Sequence, residues 1–438
     1  MSDDKKARGL RELYDQDPER ADWLTFGRIT GTNRRGFLKG AGLAAMTAAV
    51  GAASIPFARH MPGGLIPAAL ADEVGNFEIL GKEGIIIRND RPVNLETPPH
   101  LLDDDVTPIR HFFVRNNGGL PDEAADPDGW TLSVDGEVDE PFEITLGELR
   151  ERFETITRQA QLECGGNGRA GFNPSPRGNQ WVIGAVGNGE WTGCRLKDVL
   201  EAAGVRSSAV YTAHYGADPH LSGDPEREAL SRGVPIEKAL EEQNMLVWEM
   251  NGEPLPLAHG GPLRILVPGW PGSCSQKWVT RIWVRDREHD GQGMTGHSYR
   301  VPRHPVEPGA EVPDEDMVVM ESMPVKSVIT HPQTRVEAPS GEALAVRGHA
   351  WAGDRQVAAM HLSIDFGATW QEAELDEPAN PYAWQHWRAE IALPSPGYFE
   401  VWARATDDHG DMQPAVVPGW NPRGYLNNSQ HRIAVVAV

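Results

Sequence analysis

The sequence predicts an α+β domain followed by an all-β sandwich. Three observations carry this reading. Up to about residue 315, strand-like runs alternate with short amphipathic helical ones. Beyond that point every regular pattern is a short alternating strand. Between the two lies Pro302 to Pro313, a proline-rich stretch that reads as a linker. In the first domain, Trp130 to Val138 alternates as a strand and enters a turn at Asp135-Gly136. Thr145 precedes Leu146-Gly147-Glu148-Leu149, where its hydroxyl can cap a starting helix. Ile156 to Leu162 is apolar–polar, and Leu196 to Ala203 is a second helix stopped by Gly204. Leu263 to Val267 and Val279 to Val284 read as buried strands. In the second domain the strands are Ala343 to Ala350, Val357 to Asp365, Trp384 to Leu393 and Tyr398 to Thr406. Turns such as Asp365-Phe366-Gly367 and Pro396-Gly397 separate them, a spacing that suggests a β-sandwich.

The N-terminus reads as an export signal rather than as fold. Asn33-Arg34-Arg35-Gly36-Phe37-Leu38-Lys39 precedes a small-residue apolar stretch from Gly40 to Ala58, and Ala69-Leu70-Ala71 supplies a cleavage site. This is the pattern of the twin-arginine route, which carries proteins already folded and suits a cofactor inserted before export. The apolar stretch is weak and interrupted by Pro56, so no membrane span is expected. The expected organisation is a signal over residues 1–71, a first domain over 72–315 and a sandwich over 316–438.

The chain has 41 basic and 63 acidic side chains, net −22. Residues 1–71 hold 10 of the basic and 7 of the acidic ones, so the remainder stands at −25. That acidity argues against nucleic acid and anionic membranes, and permits pairing with a basic redox partner. Three cysteines make no disulfide framework. Cys194 and Cys274 can pair or remain two buried thiols, and the second is the preferred reading.

The most informative motif is Glu163-Cys164-Gly165-Gly166-Asn167-Gly168-Arg169. Its glycines let backbone approach a ligand closely. Arg169 places a permanent cation five residues past the thiol, which favours thiolate and suits a soft metal facing an anionic substrate. Three further segments offer cations and N–H donors for a phosphate-bearing group: His111 to Asn117, the Glu249 to Arg264 loop with His259, and Gly272 to Trp278 with Lys277. There is no C-x-x-C-H for covalently attached haem, no H-E-x-x-H zinc motif, no phosphate loop and no G-x-S-x-G elbow. His289-Asp290-Gly291 and Asp103-Asp104-Asp105 read as solvated loops.

In order along the chain, Phe113-Val114-Arg115-Asn116, Cys164 to Arg169, Glu249 to Pro256, His259 to Arg264 and Lys277-Trp278 resemble the sulfite oxidase family of molybdenum-pterin enzymes. Val325 to Pro332 and Trp420 to Gly424 resemble that family's immunoglobulin-like dimerisation domain. Within the family, the twin-arginine signal and the lack of a haem segment resemble the molybdenum subunits of periplasmic sulfane dehydrogenases. The resemblance implies a sulfite-oxidase-type molybdopterin domain with a molybdenum–molybdopterin cofactor and no haem in this chain. It implies Cys164 as metal ligand. Phe113, Val114, Arg115, Asn116, Asn117, Asp218, His259, Arg264, Ser275, Gln276 and Lys277 would contact the cofactor. Arg115, Arg169, Trp181, Tyr299 and Arg423 would serve catalysis by lining an anionic substrate pocket. Where many sulfite oxidases read Arg-Asn-His, this chain reads Arg115-Asn116-Asn117, and an amide cannot titrate near neutral pH. The expected activity is oxidation of sulfane sulfur on a carrier protein, with electrons leaving to a c-type cytochrome subunit. A homodimer of this chain within a hetero-oligomer is the expected assembly. Free sulfite is the alternative substrate; reduction of an oxo compound and a non-catalytic exported binding protein are the further readings.

Overall fold

Local chemistry starts the first helix. The Thr145 hydroxyl accepts from the Glu148 amide at 3.2 Å, and the Glu148 carboxylate accepts from the Thr145 amide at 2.8 Å. This reciprocal cap begins α1 (Leu146–Arg152). In α2 (Leu196–Ala203), Leu196, Val199, Leu200 and Ala203 fall on one buried stripe, and Gly204 ends the helix at φ 69°. A single turn, α3 (Ile236–Ala239), completes the α-helices among the described residues. The helical share of the first domain is therefore small, and strands dominate it.

The computed structural model describes residues 81–438 apart from 123 and 125, within one unit running Val74–Val438. The export signal expected at 1–71 lies outside the described residues. Three sheets build the first domain. A small one joins β1 (Ile86–Asp90), β2 (Val93–Glu96) and β3 (Val114–Arg115). The second contains β4 (Thr131–Gly136), β5 (Phe142–Thr145), β8 (Tyr211–Gly216), β9 (Ser231–Arg232) and β13 (Val279–Arg285) in the order β5-β4-β13-β8-β9. Only β13 and β4 in it run parallel. The third contains β6 (Ile156–Glu163), β7 (Val186–Arg195), β10 (Met245–Met250) and β11 (Glu253–Pro254) in the order β11-β10-β7-β6, with β12 (Arg264–Leu266) also on β10. Leu132, Val134, Leu196, Leu246, Ile265 and Ile282 form its main core, joining these sheets and α2. A second core gathers Phe112, Leu162, Trp181 and Trp191 around Cys164.

β14 (Arg300–Pro302) pairs antiparallel with β15 (Met317–Val319). The proline-rich stretch expected as a free linker is therefore a loop closed by a ladder. The sandwich follows. One sheet orders β16 (Lys326–His331), β18 (Ala343–Trp351), β22 (Gln385–Ala392) and β21 (Glu374–Leu375) as β16-β18-β22-β21. The other orders β17 (Val336–Ala338), β24 (His431–Ala437), β23 (Gly397–Asp407), β19 (Val357–Ser363) and β20 (Gln371–Glu372) as β17-β24-β23-β19-β20. Val346, Met360, Trp387, Val401 and Val435 fill the space between them. The turn after β19 carries Phe366 and Gly367 at φ 59° and 84°.

Two expectations for polar loops need correction. Asp103 is half-buried: it accepts from Arg347 Nη2 at 2.7 Å and from the Thr330 hydroxyl at 2.6 Å, tying the first domain to the sandwich. His289 is 2% exposed, held between Ser231 Oγ at 2.7 Å and Arg285 Nη1 at 2.9 Å. Cys164, Cys194 and Cys274 are all free and buried, so Cys194 and Cys274 are two thiols rather than a disulfide.

Candidate functional site

Strand β6 ends at Glu163, and the chain turns at once. The Cys164 amide donates to Ala185 O at 2.9 Å, and the Cys164 carbonyl accepts from the Asn167 amide at 2.8 Å. The close turn needs its glycines: a Cβ on Gly165 would collide with Met320, and Gly168 stands at φ 96° with Asn427 pressed against it. The sandwich also holds this turn, because Leu426 N donates to Gly165 O at 3.0 Å and Asn427 Nδ2 to Gly168 O at 2.7 Å.

Cys164 borders a cavity. Phe113, Arg115 and Asn117 reach it from β3 and the residues flanking it; Asp218 reaches it from just past β8. His259 and Arg264 come from the loop before β12 and its first residue, and Ser275, Gln276 and Lys277 from the loop before β13. Tyr299 closes one side. The structure thus brings together residues from six distant segments.

The charge in this cavity is lopsided. Lys277 is half-buried; its Nζ donates to Asn116 Oδ1 and, at 2.9 Å, to Ala258 O. Burial, then the nearby Arg264, hold its ammonium well below the usual lysine range. Burial pushes Arg264 down to about 9. Its Nη1 donates to His259 O at 2.8 Å and its Nη2 to Ser275 O at 3.3 Å. His259 is driven well below its ordinary value by burial and by the charges of Lys82, Lys277 and Arg264. Lys82 Nζ lies 2.7 Å from His259 Nε2 and donates to Phe112 O at 2.8 Å, and burial lowers it to about 7. The acid among them, Asp218, is raised by its own burial to about 6, against the pull of Lys277.

Several buried polar atoms here have no protein partner: Arg264 Nε, Ser273 Oγ, Gln276 Oε1 and Asn116 Nδ2. Crowded, desolvated cations and unspent donors are the signature of a site for an anion with several acceptor oxygens. The phosphate of a pterin cofactor meets that demand, and the Cys164 sulfur on the same wall suits a soft metal. The residues present therefore fit a molybdenum–pterin group.

Not every expected residue reaches this wall. Arg169 is 6% exposed and turns away: its Nε donates to Arg423 O at 2.5 Å and its Nη1 to Asn179 O at 2.8 Å. Its guanidinium lies 5.1 Å over the Tyr425 ring, which stacks at 5.6 Å on Tyr299; the Arg232 guanidinium lies 5.1 Å over the Tyr299 ring. Trp181 is fully buried in the apolar cluster around Cys164. Arg423 meets Arg169 through its carbonyl. Val114 packs on Leu95 and Ala258, and Asn116 acts behind the wall, its amide held by Asn94 Oδ1 at 2.9 Å. Arg115 and the Tyr299 hydroxyl both donate to Asn117 Oδ1, the latter at 3.1 Å.

The residues of the site that sequence reasoning missed are Phe112, Leu162, Leu230 and Ser273 in the wall, Lys82 behind His259, and Tyr425 against Tyr299. Lys82 carries no local signal. Tyr425 stood two residues past Arg423, within reach of the same motif.

Residues 117–293 match the oxidoreductase molybdopterin binding domain, and residues 317–438 match the Mo-co oxidoreductase dimerisation domain. Mitochondrial sulfite oxidase of Rattus norvegicus is 34% identical over 370 residues, covering 80% of this chain and 65% of that protein. Sulfite oxidase of Gallus gallus is 32% identical over 367 residues, covering 80% of this chain and 77% of that protein. The chain thus spans slightly less than two thirds of the length of the rat enzyme. Among solved structures, a chain in the crystal structure of the sulfane dehydrogenase SoxCD from Paracoccus pantotrophus superposes with a TM-score of 0.67 at 26% identity, covering 87% of this chain and 96% of that one. The two domain matches and the 32% identity across 77% of the Gallus gallus enzyme show the family: the chain belongs to the sulfite oxidase family of molybdopterin oxidoreductases.

Proposed function

We propose that this chain is a molybdenum-dependent oxidoreductase that oxidises sulfane sulfur held on a carrier protein. The observation that carries the reading is the Cys164 sulfur on the wall of a cavity lined by the basic side chains of Arg115, Arg264 and Lys277. When bound, the molybdenum–pterin group supplies two-electron oxidation and oxygen-atom transfer. The chain's own residues do the rest. Cys164 holds the metal. Lys277 and Arg264 would hold the cofactor's phosphate, which would supply the counter-charge they lack, with the neutral His259 beside them. Arg115 and Tyr299 converge on Asn117 Oδ1 at the side of the cavity where an oxyanion would collect, and an oxyanion there would take over the donors now spent on that amide. Tyr299 is the group there able to hold a proton; Asn117 is not. Burial keeps water away and strengthens each of these contacts.

The structural likeness to a sulfane dehydrogenase along 96% of that chain supports carrier-bound sulfur as substrate. The 34% identity to sulfite oxidase supports free sulfite as the second reading. The proposed acceptor is a c-type cytochrome subunit, and the proposed assembly a homodimer through residues 317–438 within a larger complex. The proposed location is the periplasm, reached through Arg34 and Arg35. No helix among the described residues is long and apolar enough to cross a membrane. Steady-state turnover with free sulfite against a persulfidated carrier peptide, using a c-type cytochrome as acceptor, tests the substrate. Preference for the peptide by about tenfold or more in kcat/KM supports the proposal; turnover of sulfite alone transfers it to the second reading. Stoichiometric zinc without molybdenum in the purified protein sinks both.

A further inference from the structure

We propose that Lys326 of the sandwich is a positioning residue for Cys164, acting through Glu163 and Asn167. The inference rests on Cys164 being the metal ligand. Side chains alternate along a strand, so Glu163 at the end of β6 and Cys164 after it leave on opposite sides. Cys164 borders the cavity; Glu163 is buried toward the sandwich. There Glu163 Oε1 lies 2.8 Å from Lys326 Nζ, and Glu163 Oε2 accepts from Trp351 Nε1 at 2.7 Å. Lys326 and Trp351 are direct cross-strand partners on β16 and β18, so both anchors sit on one rigid sheet edge.

Asn167 is the link between this pair and the cysteine. Its Nδ2 donates to Glu163 Oε1 at 3.0 Å and to Ile183 O at 2.9 Å. Its Oδ1 accepts from the Ala185 amide at 3.1 Å, and its carbonyl accepts from Lys326 Nζ at 3.0 Å. Its own amide closes the turn onto Cys164 O. Every polar group of Asn167 is thus spent, on Glu163, Ile183, Ala185, Lys326 and Cys164 itself. Glu163 and Lys326 are 0% and 2% exposed. A buried ion pair of this kind adds little net stability, since an apolar pair of similar volume often does as well. What it does provide is a single geometry. An apolar contact tolerates sliding; two charge-assisted hydrogen bonds and an indole donor do not.

The test uses the full-length holoenzyme, with Lys326→Met and the charge-free pair Glu163→Gln/Lys326→Met. Molybdenum per chain, melting temperature, kcat and KM for sulfite, and the Mo(V) paramagnetic resonance spectrum are measured on each. That spectrum reports the orientation of the thiolate on the metal, which a merely structural role leaves alone. Lys326→Met is expected to keep molybdenum and to hold KM within about twofold, while kcat falls by roughly tenfold to a hundredfold and the g-values move. The pair is expected to melt near wild type and still show the displaced spectrum. If Lys326→Met does not fold, the pair is judged on the same criteria. A wild-type spectrum in either folded variant overturns the positioning role. A wild-type chain without molybdenum overturns this role together with the site assignment, whereas a loaded wild type with unaltered variants overturns the positioning role alone.

Discussion

Replacing Lys277 by methionine should act in opposite ways on the empty and the loaded protein. The methionine keeps an apolar stem of similar length and removes the ammonium. In the cofactor-free chain that ammonium is a burden, because burial and Arg264 hold it well below its ordinary range. Its bonds to Asn116 Oδ1 and Ala258 O are lost, and the desolvation cost is lost with them. The two changes offset, so unfolding free energy of the empty protein should shift by less than about 1 kcal/mol. In the loaded protein the same substitution removes a charge-assisted contact to the phosphate, about 1.5–3 kcal/mol. Cofactor retention should therefore weaken by roughly ten- to a hundredfold. The assay is the rate of pterin fluorescence appearing on dilution, paired with calorimetry of both forms. Release at the wild-type rate, or an empty protein that melts far lower, would refute the claim that Lys277 serves the anion rather than the fold.

Cys164→Ser should abolish turnover while the far-ultraviolet spectrum and the melting of the cofactor-free protein stay unchanged; a serine variant with full activity removes Cys164 from the metal. Lys82 titrates near 7 in the fold against 10.5 free. The unfolded chain therefore binds that proton between the two values, and stability of the cofactor-free protein should rise with pH across this window. Urea midpoints should show the rise in wild type and a flatter profile in Lys82→Met. Arg169→Gln should lower the melting temperature together with kcat/KM, because it strips two half-buried carbonyls of a charged donor, roughly 1–3 kcal/mol. A variant with wild-type melting and a loss confined to kcat/KM would return Arg169 to a direct role at the substrate.

Much of this was legible in the sequence where the signal is local. Thr145 with Glu148 marks a helix start by their spacing, and Gly204 marks an end by lacking a Cβ. The alternating strands of the sandwich came through because one face of each is buried. Strand β7 did not. Val186–Arg195 is buried along most of its length and contains three glycines, so it shows neither alternation nor bulk. The site divides in the same way. The motif residues of the cavity were found through the family resemblance, but Lys82 and Tyr425 reach it only through long-range folding. Arg169 lies outside the cavity lining for a geometric reason: an offset of five residues says nothing about direction, and Gly168 at φ 96° turns the chain just before it.

The lopsided charge of the cavity has a consequence for the life of the protein in the cell. Anything that binds the native state alone stabilises it by mass action. Here the empty native state carries a self-repulsion that an anionic cofactor relieves, so the two forms differ in how often they open. A newly made chain that has missed its cofactor opens more, and a protease that cleaves opened chains will find it first. The surviving pool is then enriched in loaded molecules with no dedicated inspector, the selection being written into Lys82, His259, Arg264 and Lys277 themselves.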